Sequence, residues 1–204
     1  MLLDRDDSQL LLVDYQELLL PVLHDRAAVL SNALRLAQLA ELFSVPVLLT
    51  EENPAGLGGT VNDLASLVKK AGGKTFAKMS FSAVAAGLTE LLRPSNTKPQ
   101  GNARSLPKHL QKAPSPVVQR NSVVIAGCET HVCLLQTALD LLEQDFDVWV
   151  VTDACGSRSE RNRDAAFDRL AGAGAELLTT EMVAFEWLRT ADHDAFREVL
   201  ALVR

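Results

Sequence analysis

The sequence predicts an α/β fold in which a mostly parallel sheet of six strands lies between two layers of helices. Short apolar runs rich in Val and Leu alternate along the chain with longer segments whose apolar residues recur at helical spacing. Parallel strands need crossover connections, and right-handed crossovers place helices on both faces of the sheet. The 204 residues are enough for one such core, so we interpret residues 1–204 as a single doubly wound, three-layer domain.

The first half of the chain predicts a β-α-β unit followed by a shorter continuation of the same pattern. The runs QLLLVD and VPVLLT are typical of buried strands, and the helix between them rests on apolar residues such as Val29, Ala33 and Leu36 at helical spacing. KTFAK predicts a shorter third strand. The predicted strands are residues 9–14, 45–50 and 74–78, and the predicted helices are residues 27–43, 62–70 and 83–92.

The second half of the chain repeats the alternation. The run VVIA predicts a fourth strand, and a leucine-rich helical pattern follows it after a glycine. VWVVT and AELLTT predict two further strands. The predicted strands are residues 123–126, 148–152 and 175–180, and the predicted helices are residues 132–143, 160–173 and 182–188.

A basic, proline-rich insert at residues 94–120 separates the two halves. It holds five of the eight prolines and five Lys or Arg residues but no Asp or Glu, so its formal charge is +5 against -11 for the rest of the chain. Long connections without secondary structure are either solvated loops or functional segments. We predict a solvated loop. The alternative is a segment that docks onto an acidic surface of its own or a neighbouring subunit, or onto an anionic partner.

Charge and composition disfavour several classes of function. The net charge of -6 gives no reason to expect nucleic acid as the main partner, so a small molecule or a protein is expected instead. No run approaches the ~20 apolar residues of a membrane span, and the N-terminal MLLDRDD is acidic where a secretory signal would be basic. Three cysteines without an export signal predict reduced thiols in a cytoplasmic protein.

Residues that directly follow the predicted strands are the first candidates for a functional site. Ligands of such folds bind beyond the carboxyl ends of the strands, where the strand order reverses. Asp14 lies there and is well placed as a general acid or base, or alternatively as a turn or N-cap residue. Lys78 follows the third strand between two phenylalanines, although a lone lysine is usually on the surface. The other positions of this kind are residues 50–53, residues 127–133 and Asp153.

Cys133 is predicted in the first turn of the helix after the fourth strand. Unpaired N–H groups and the helix dipole favour an anion there, and a nearby lysine would lower the pKa of the thiol further. Because the thiolate is the reactive form of cysteine, Cys133 is a candidate nucleophile. The alternative is a small, buried, unreactive side chain.

Together these segments resemble the isochorismatase-like cysteine hydrolases, a family that includes nicotinamidases and N-carbamoylsarcosine amidohydrolase. The resemblance extends over nearly the whole chain and is most specific in LLLVDYQ, FAKMSFS and AGCETHVCLLQTALD. It implies a Rossmann-like hydrolase fold with a catalytic triad of Asp14, Lys78 and Cys133. Family members are usually dimers or larger, so a homo-oligomer is expected.

The resemblance also implies a mechanism. Cys133 would attack the carbonyl of a small amide or ureido compound, Asp14 would carry the thiol proton to the leaving group, and water would hydrolyse the resulting thioester. Lys78 would hold the charges of the thiolate and the carboxylate. The family's cis peptide maps onto Cys128–Glu129, and the N–H groups of Glu129 and Cys133 would then bind the oxyanion.

Departures from better-known relatives narrow the expected reaction. Isochorismate cleavage breaks a vinyl ether without a nucleophile, and isochorismatases of this family lack the cysteine, so Cys133 favours C–N cleavage. Nicotinamidases carry a D-x-H…H metal site after the second strand, whereas TEENPAGLGGT has no histidine, so we expect no metal and no other cofactor. Vinyl-ether hydrolysis and a non-catalytic scaffold that uses the insert are the alternative functions.

Four residues near the triad are candidates for the substrate pocket. Tyr15 and Phe81 are candidate walls, with a place in the core as the alternative for each. His131 flanks the turn before Cys133 and either contacts substrate or only shapes the backbone. Gln16 could orient Asp14 or its loop.

Overall fold

Six strands form one parallel sheet in the computed structural model, which describes residues 1–94 and 119–204. The order across the sheet is β3-β2-β1-β4-β5-β6. This architecture confirms the predicted fold class. The strands are β1 (Ser8–Val13), β2 (Val47–Glu52), β3 (Lys74–Lys78), β4 (Ser122–Gly127), β5 (Asp147–Val151) and β6 (Glu176–Leu178).

Helices cover both faces of this sheet. They are α1 (Arg26–Phe43), α2 (Pro54–Leu57), α3 (Asn62–Lys70), α4 (Thr89–Leu92), α5 (Leu135–Glu143), α6 (Glu160–Gly172), α7 (Thr180–Leu188) and α8 (Phe196–Val203). Helix α1 contacts α3, α7 and α8, whereas α5 contacts α6. Right-handed crossovers in opposite directions from the sheet centre place these two groups on opposite faces. None of the helices in the described ranges is long and apolar enough to cross a membrane.

The core lies along the two central strands. Every residue of β1 and of β4 is buried, because each strand has a neighbour on both sides and a helical layer on both faces. The inner face of α1 adds Val29, Ala33 and Leu36 to the same core. The ends of these two strands are therefore rigid supports for the loops that follow them.

One helix is shorter than predicted, and two helices of the structure, α2 and α8, were not predicted. The helix predicted over residues 83–92 is helical only at Thr89–Leu92. Gly87 has a φ of 98°, its N–H bonds to Val84 and the next N–H bonds to Ala83, so the earlier residues form turns instead. Helix α8 is a short amphipathic segment at the C-terminal end that packs on α1 and α7.

The insert predicted at residues 94–120 falls mostly on residues 95–118, which lie outside the described residues. The chain on both sides of it is anchored. Arg93 donates hydrogen bonds to the carbonyl oxygens of Gln144 and Asp145, and Arg120 donates to those of Arg5 and Ser8, each at 2.7 Å. The single-domain interpretation and the role of the insert stay predictions.

Candidate active site

The candidate site lies at the carboxyl edge of the sheet, where the strand order reverses between β1 and β4. Val13 at the end of β1 is in register with Thr50 of β2 and with Gly127 of β4. A Cβ on Gly127 would lie 2.4 Å from the carbonyl oxygen of Val13, so only glycine lets the strands approach this closely. This register brings the residues after three separate strands together.

Asp14 is fully buried at the centre of this edge. Its φ of 55° lies in the left-handed region, which aspartate tolerates better than most residues, and this turns the chain out of the sheet. Thr50 Oγ1 donates to Oδ1 of the carboxylate at 2.6 Å, and Lys78 Nζ donates to Oδ2 at 2.8 Å. Both carboxylate oxygens are thus held by buried donors.

Lys78 contacts a second carboxylate as well. Its Nζ donates to Oε2 of Glu52 at 2.9 Å, because Glu52 and Lys78 are paired in register at the ends of β2 and β3. The Lys78 side chain is inaccessible to solvent and the Glu52 side chain is 9% exposed. Burial lowers the pKa of Lys78, but Asp14 and Glu52 outweigh burial and raise that pKa above its ordinary value, so the ammonium form persists.

Cys133 enters the site from the turn after β4. The peptide bond between Cys128 and Glu129 is cis, and Thr130–Leu134 then form a π-helical turn that leads into α5. The hydroxyl and N–H of Thr130 both donate to the carbonyl oxygen of Gly156 and hold this turn. The Sγ atom of Cys133 lies within 4.8 Å of the nearest carboxylate oxygens of Asp14 and Glu52.

The pKa of the Cys133 thiol shifts in the direction opposite to the prediction. Burial raises its pKa to about 12, the negative charge of Asp14 acts in the same direction, and Lys78 opposes them only in part. Lys78 does lower the pKa as expected, but the expectation that the helix start and the lysine bring it below its ordinary value was wrong. The physical reason is that Lys78 is already compensated by two carboxylates, so the cluster carries no free positive charge for a thiolate.

The main-chain N–H of Glu129 and its side-chain carboxylate differ in their hydrogen bonding. Within residues 1–94 and 119–204, its N–H has no hydrogen-bond acceptor, and Glu129 directly precedes the turn that holds Cys133. Its carboxylate accepts from Nε of Arg158 at 2.6 Å, and that ion pair holds the turn against the loop before α6. A backbone N–H without an acceptor, in the turn before a nucleophile, is the kind of donor that can stabilise an oxyanion.

The predicted pocket residues separate into two groups. Tyr15 and Gln16 have no exposed surface, so the structure does not place them where a substrate could reach. Tyr15 donates to the carbonyl oxygen of Ala154, and the Gln16 side chain bonds both the N–H and the C=O of Glu52. By contrast, Phe81 is 53% exposed.

His131 is half-buried beside the turn of Cys133. Its Nδ1 is 3.0 Å from the hydroxyl of Ser157, and its Nε2 is 3.3 Å from the side-chain amide of Asn162. Both ring nitrogens thus face the loop before α6 and α6 itself. A role in shaping the backbone is supported by these contacts, while contact with substrate stays a prediction.

Donor atoms of Asp14, Glu52 and Cys133 are spaced closely enough to hold a metal ion. The ammonium of Lys78, however, donates to both carboxylates and lies in the position between them. A cation at that position would have to displace a buried, doubly bonded lysine. The arrangement therefore favours proton transfer and nucleophilic chemistry over metal binding.

A surface cavity of about 440 Å³ lies elsewhere, at the amino-terminal edge of the sheet. Glu41, Ser44, Val47 and Lys74 are among its walls. It brings together no nucleophile and acid–base pair comparable to Cys133 and Asp14. We therefore locate the candidate chemistry at the carboxyl edge.

Thr50 and Glu52 have no role predicted from the sequence, although both directly contact the proposed triad. The available signal was their position at the end of the second strand. The sequence could not show that their side chains point to Asp14 and Lys78, because that depends on the register between strands far apart in the chain.

Comparison with known proteins identifies the family. The family model of the isochorismatase domain matches residues 102–182. The isochorismatase domain-containing protein 2 of Bos taurus is 39% identical over 197 residues, which cover 97% of this chain and 83% of that protein. The chain belongs to the isochorismatase family. A secreted isochorismatase effector, Isc1 of Phytophthora sojae, is 31% identical over 97% of this chain and 84% of its own length.

Solved structures of the isochorismatase fold superpose on nearly the whole chain. The MAR1 ribonuclease of Caenorhabditis elegans has a TM-score of 0.81 at 30% identity, with 100% of this chain and 92% of that chain covered. The YcaC gene product of Escherichia coli, described as an octameric hydrolase of unknown specificity, has a TM-score of 0.76 at 30% identity and covers 98% and 88% of the two chains. The family and its fold are thus shown, and they indicate a hydrolase.

Proposed function

We propose that this chain is a cysteine hydrolase that cleaves a C–N bond in a small amide or ureido compound. The observation that carries the proposal is the position of Asp14. Its buried carboxylate accepts a hydrogen bond from Lys78 on one side, and Sγ of Cys133 lies within 4.8 Å of it on the other. A base, a nucleophile and a compensating cation are thus joined in one cluster.

The raised pKa of Cys133 defines the first step. Since the thiol is protonated at neutral pH, its proton moves to Asp14 as sulfur attacks the substrate carbonyl. A C–S bond forms, the carbonyl π electrons move to oxygen, and the N–H groups of Glu129 and Cys133 are the proposed donors to that oxyanion. Loss of one such donor typically costs on the order of 3 kcal/mol of barrier.

The second half of the reaction returns the enzyme to its starting state. Asp14 delivers its proton to the leaving nitrogen as the C–N bond breaks, and an acyl or carbamoyl thioester on Cys133 remains. Water then attacks the thioester carbonyl with Asp14 as base, and the C–S bond breaks to release the acid. The proton on Asp14 returns to sulfur. Lys78 holds the carboxylate in place throughout.

Two other reactions fit the site less well. Vinyl-ether hydrolysis needs a protonated acid but no nucleophile, and it leaves the buried Cys133 without a role. A relative is described as a ribonuclease, but here the one ammonium of the cluster is held by two carboxylates, so it is a poor partner for a phosphodiester. The scaffold alternative depends on the insert and stays a prediction.

The test is a substrate panel measured with wild type and two matched cysteine variants. The panel holds primary amides, carbamoyl and ureido compounds, a vinyl ether and a short RNA. We expect ammonia or amine release from a C–N substrate, a loss of at least about 1,000-fold in Cys133→Ala, and little change in Cys155→Ala. Cys155 is a suitable control because it is also buried but belongs to a different loop.

The outcomes separate the alternatives. Turnover of the vinyl ether that persists in Cys133→Ala would favour the isochorismatase reaction, and RNA cleavage that persists in it would favour a nuclease. Mass spectrometry after rapid quenching should find the acyl group on the peptide that contains Cys133. C–N hydrolysis by folded Cys133→Ala at the wild-type rate would sink the proposal.

We further propose a homo-oligomer, dimeric or larger, in the cytoplasm. Support for assembly comes from the octameric E. coli hydrolase, and support for a reducing compartment comes from three free, buried cysteines. The secreted relative in Phytophthora sojae shows that location varies among similar chains. Light scattering on the purified protein and fractionation of the producing cells would test the two statements.

A further inference from the structure

The cluster around Cys133 contains two carboxylates but one ammonium. Lys78 Nζ donates to Asp14 at 2.8 Å and to Glu52 at 2.9 Å, and these side chains are almost inaccessible to solvent. With both carboxylates ionised, the three side chains together carry one net negative charge. Because water is excluded, that charge is poorly screened and acts on any molecule that approaches the thiol.

The negative charge of the cluster persists through the proposed reaction. When Asp14 accepts the thiol proton it becomes neutral, but sulfur becomes negative, so the sum does not change. Glu52 keeps its contact with Lys78 in both states. The surplus charge can therefore be assigned to Glu52, since Asp14 and Cys133 only exchange a proton between them.

The other charged groups near the turn do not offset this charge. Glu129 is paired with Arg158, whose side chain is 61% exposed, and those two charges compensate each other. Glu51 directs its carboxylate to the N–H and hydroxyl of Thr60, away from the cluster. Within the described part of the chain, Lys78 is the cation that bonds Asp14 and Glu52, and both of its bonds are to acids.

We propose that Glu52 sets the charge specificity of the site. It disfavours compounds that carry a carboxylate or phosphate next to the scissile carbonyl, and it admits neutral or cationic amides. That neutral or cationic amides are hydrolysed at this site rests on the proposed function, but the charge selectivity does not. A like charge about 6 Å away at an effective dielectric of about 20 slows an anionic reactant by about 100-fold.

The test uses two alkylating agents of nearly the same shape. Iodoacetamide is neutral and iodoacetate is anionic, and each transfers its methylene carbon to a thiolate with loss of iodide. The two alkylation rates at Cys133 are measured by peptide mass spectrometry. The quotient of the iodoacetamide rate over the iodoacetate rate does not depend on the thiolate fraction, because that fraction enters both rates equally. The same quotient for 2-mercaptoethanol gives the intrinsic preference of the reagents.

We expect wild type to prefer iodoacetamide at least about tenfold more strongly than 2-mercaptoethanol does, and we expect Glu52→Gln to remove most of that preference. The matched control is Glu51→Gln, which removes the same charge one residue earlier and should keep the wild-type quotient. The reagent 2-bromoethylammonium should show the opposite trend, with a slower reaction in Glu52→Gln relative to iodoacetamide.

Two results would overturn the proposal. One is a wild-type quotient equal to that of 2-mercaptoethanol, which is informative even if Glu52→Gln does not fold. The other is a folded Glu52→Gln protein that keeps the wild-type quotient. Alkylation needs no turnover, so a protein that selects reagents by charge but hydrolyses no amide would contradict the proposed function and leave the role of Glu52 intact.

Discussion

Asp14→Asn is expected to separate the reactivity of the Cys133 thiol from hydrolysis. Asparagine has nearly the same size and tolerates the left-handed φ of 55°. Its amide oxygen can accept from Lys78, and its NH2 group can donate to the hydroxyl of Thr50, which then acts as the acceptor. The substitution removes one negative charge beside the thiol and also removes the proposed proton acceptor. We therefore expect faster alkylation of Cys133 together with loss of turnover.

The magnitude follows from the distance between the two groups. The carboxylate oxygen of Asp14 and Sγ of Cys133 lie within 4.8 Å of each other. At an effective dielectric of ~20, this separation corresponds to about 3 kcal/mol or about 2 pKa units. A negative neighbour disfavours the thiolate, so its removal lowers the pKa of Cys133 from about 12 by about that amount.

The expected change in rate is smaller than the change in thiolate. About pH 8 lies below the pKa of Cys133 in both wild type and Asp14→Asn. At that pH the thiolate fraction of the variant is therefore about 100-fold larger than that of wild type. A less basic thiolate is also a weaker nucleophile, with a Brønsted slope of about 0.5, so about half of the logarithmic gain is lost. The net expectation is an alkylation rate about tenfold above wild type.

The assay is iodoacetamide labelling between about pH 7 and pH 10, with quantification of the Cys133 peptide. The alkylation rate of wild type should rise about tenfold per pH unit without a plateau, because the pKa of Cys133, about 12, lies above that range. Asp140→Asn, which removes a carboxylate bonded to Ser82, should match wild type. Alkylation of folded Asp14→Asn at or below the wild-type rate would refute the electrostatic reasoning, as would a wild-type plateau near pH 8.

Two further variants test the supports of the site. Thr50→Val removes a buried donor to the charged Asp14, and we expect it to lose about 1.5–3 kcal/mol of unfolding free energy in urea titration. Thr50→Ser keeps the hydroxyl and should lose less; equal losses would contradict this account. Gly127→Ala places a methyl group 2.4 Å from the carbonyl oxygen of Val13, so we expect a loss of about 3 kcal/mol or more and a Tm lower by about 6–12 °C. The matched control is Gly172→Ala, whose added methyl group has no neighbour within 4 Å and should not lower the Tm. An unchanged Tm in Gly127→Ala would show that the strands can separate without cost.

Local patterns predicted the strands and most helices because buried parallel strands and amphipathic helices differ in their periodicity. Helix α3 and strand β3 begin and end where they were predicted, at Asn62–Lys70 and Lys74–Lys78. The prediction was wrong over residues 83–88, where apolar spacing suggested a helix but a left-handed glycine closes turns. Periodicity cannot show such a turn, because it depends on the conformation of one residue.

The order of Asp14, Lys78 and Cys133 after three strands followed from the chain alone, because parallel strands align their carboxyl ends and each residue sits where its own strand stops. The charge state of the site could not be predicted from the chain alone. Glu52 shares Lys78 with Asp14 only because the register of β2 and β3 places the two side chains opposite each other. The thiol is protonated because burial raises its pKa and because the shared lysine is already compensated by two carboxylates. Such effects depend on distances between residues remote in sequence and on the exclusion of water, and these exist only once the layers have packed.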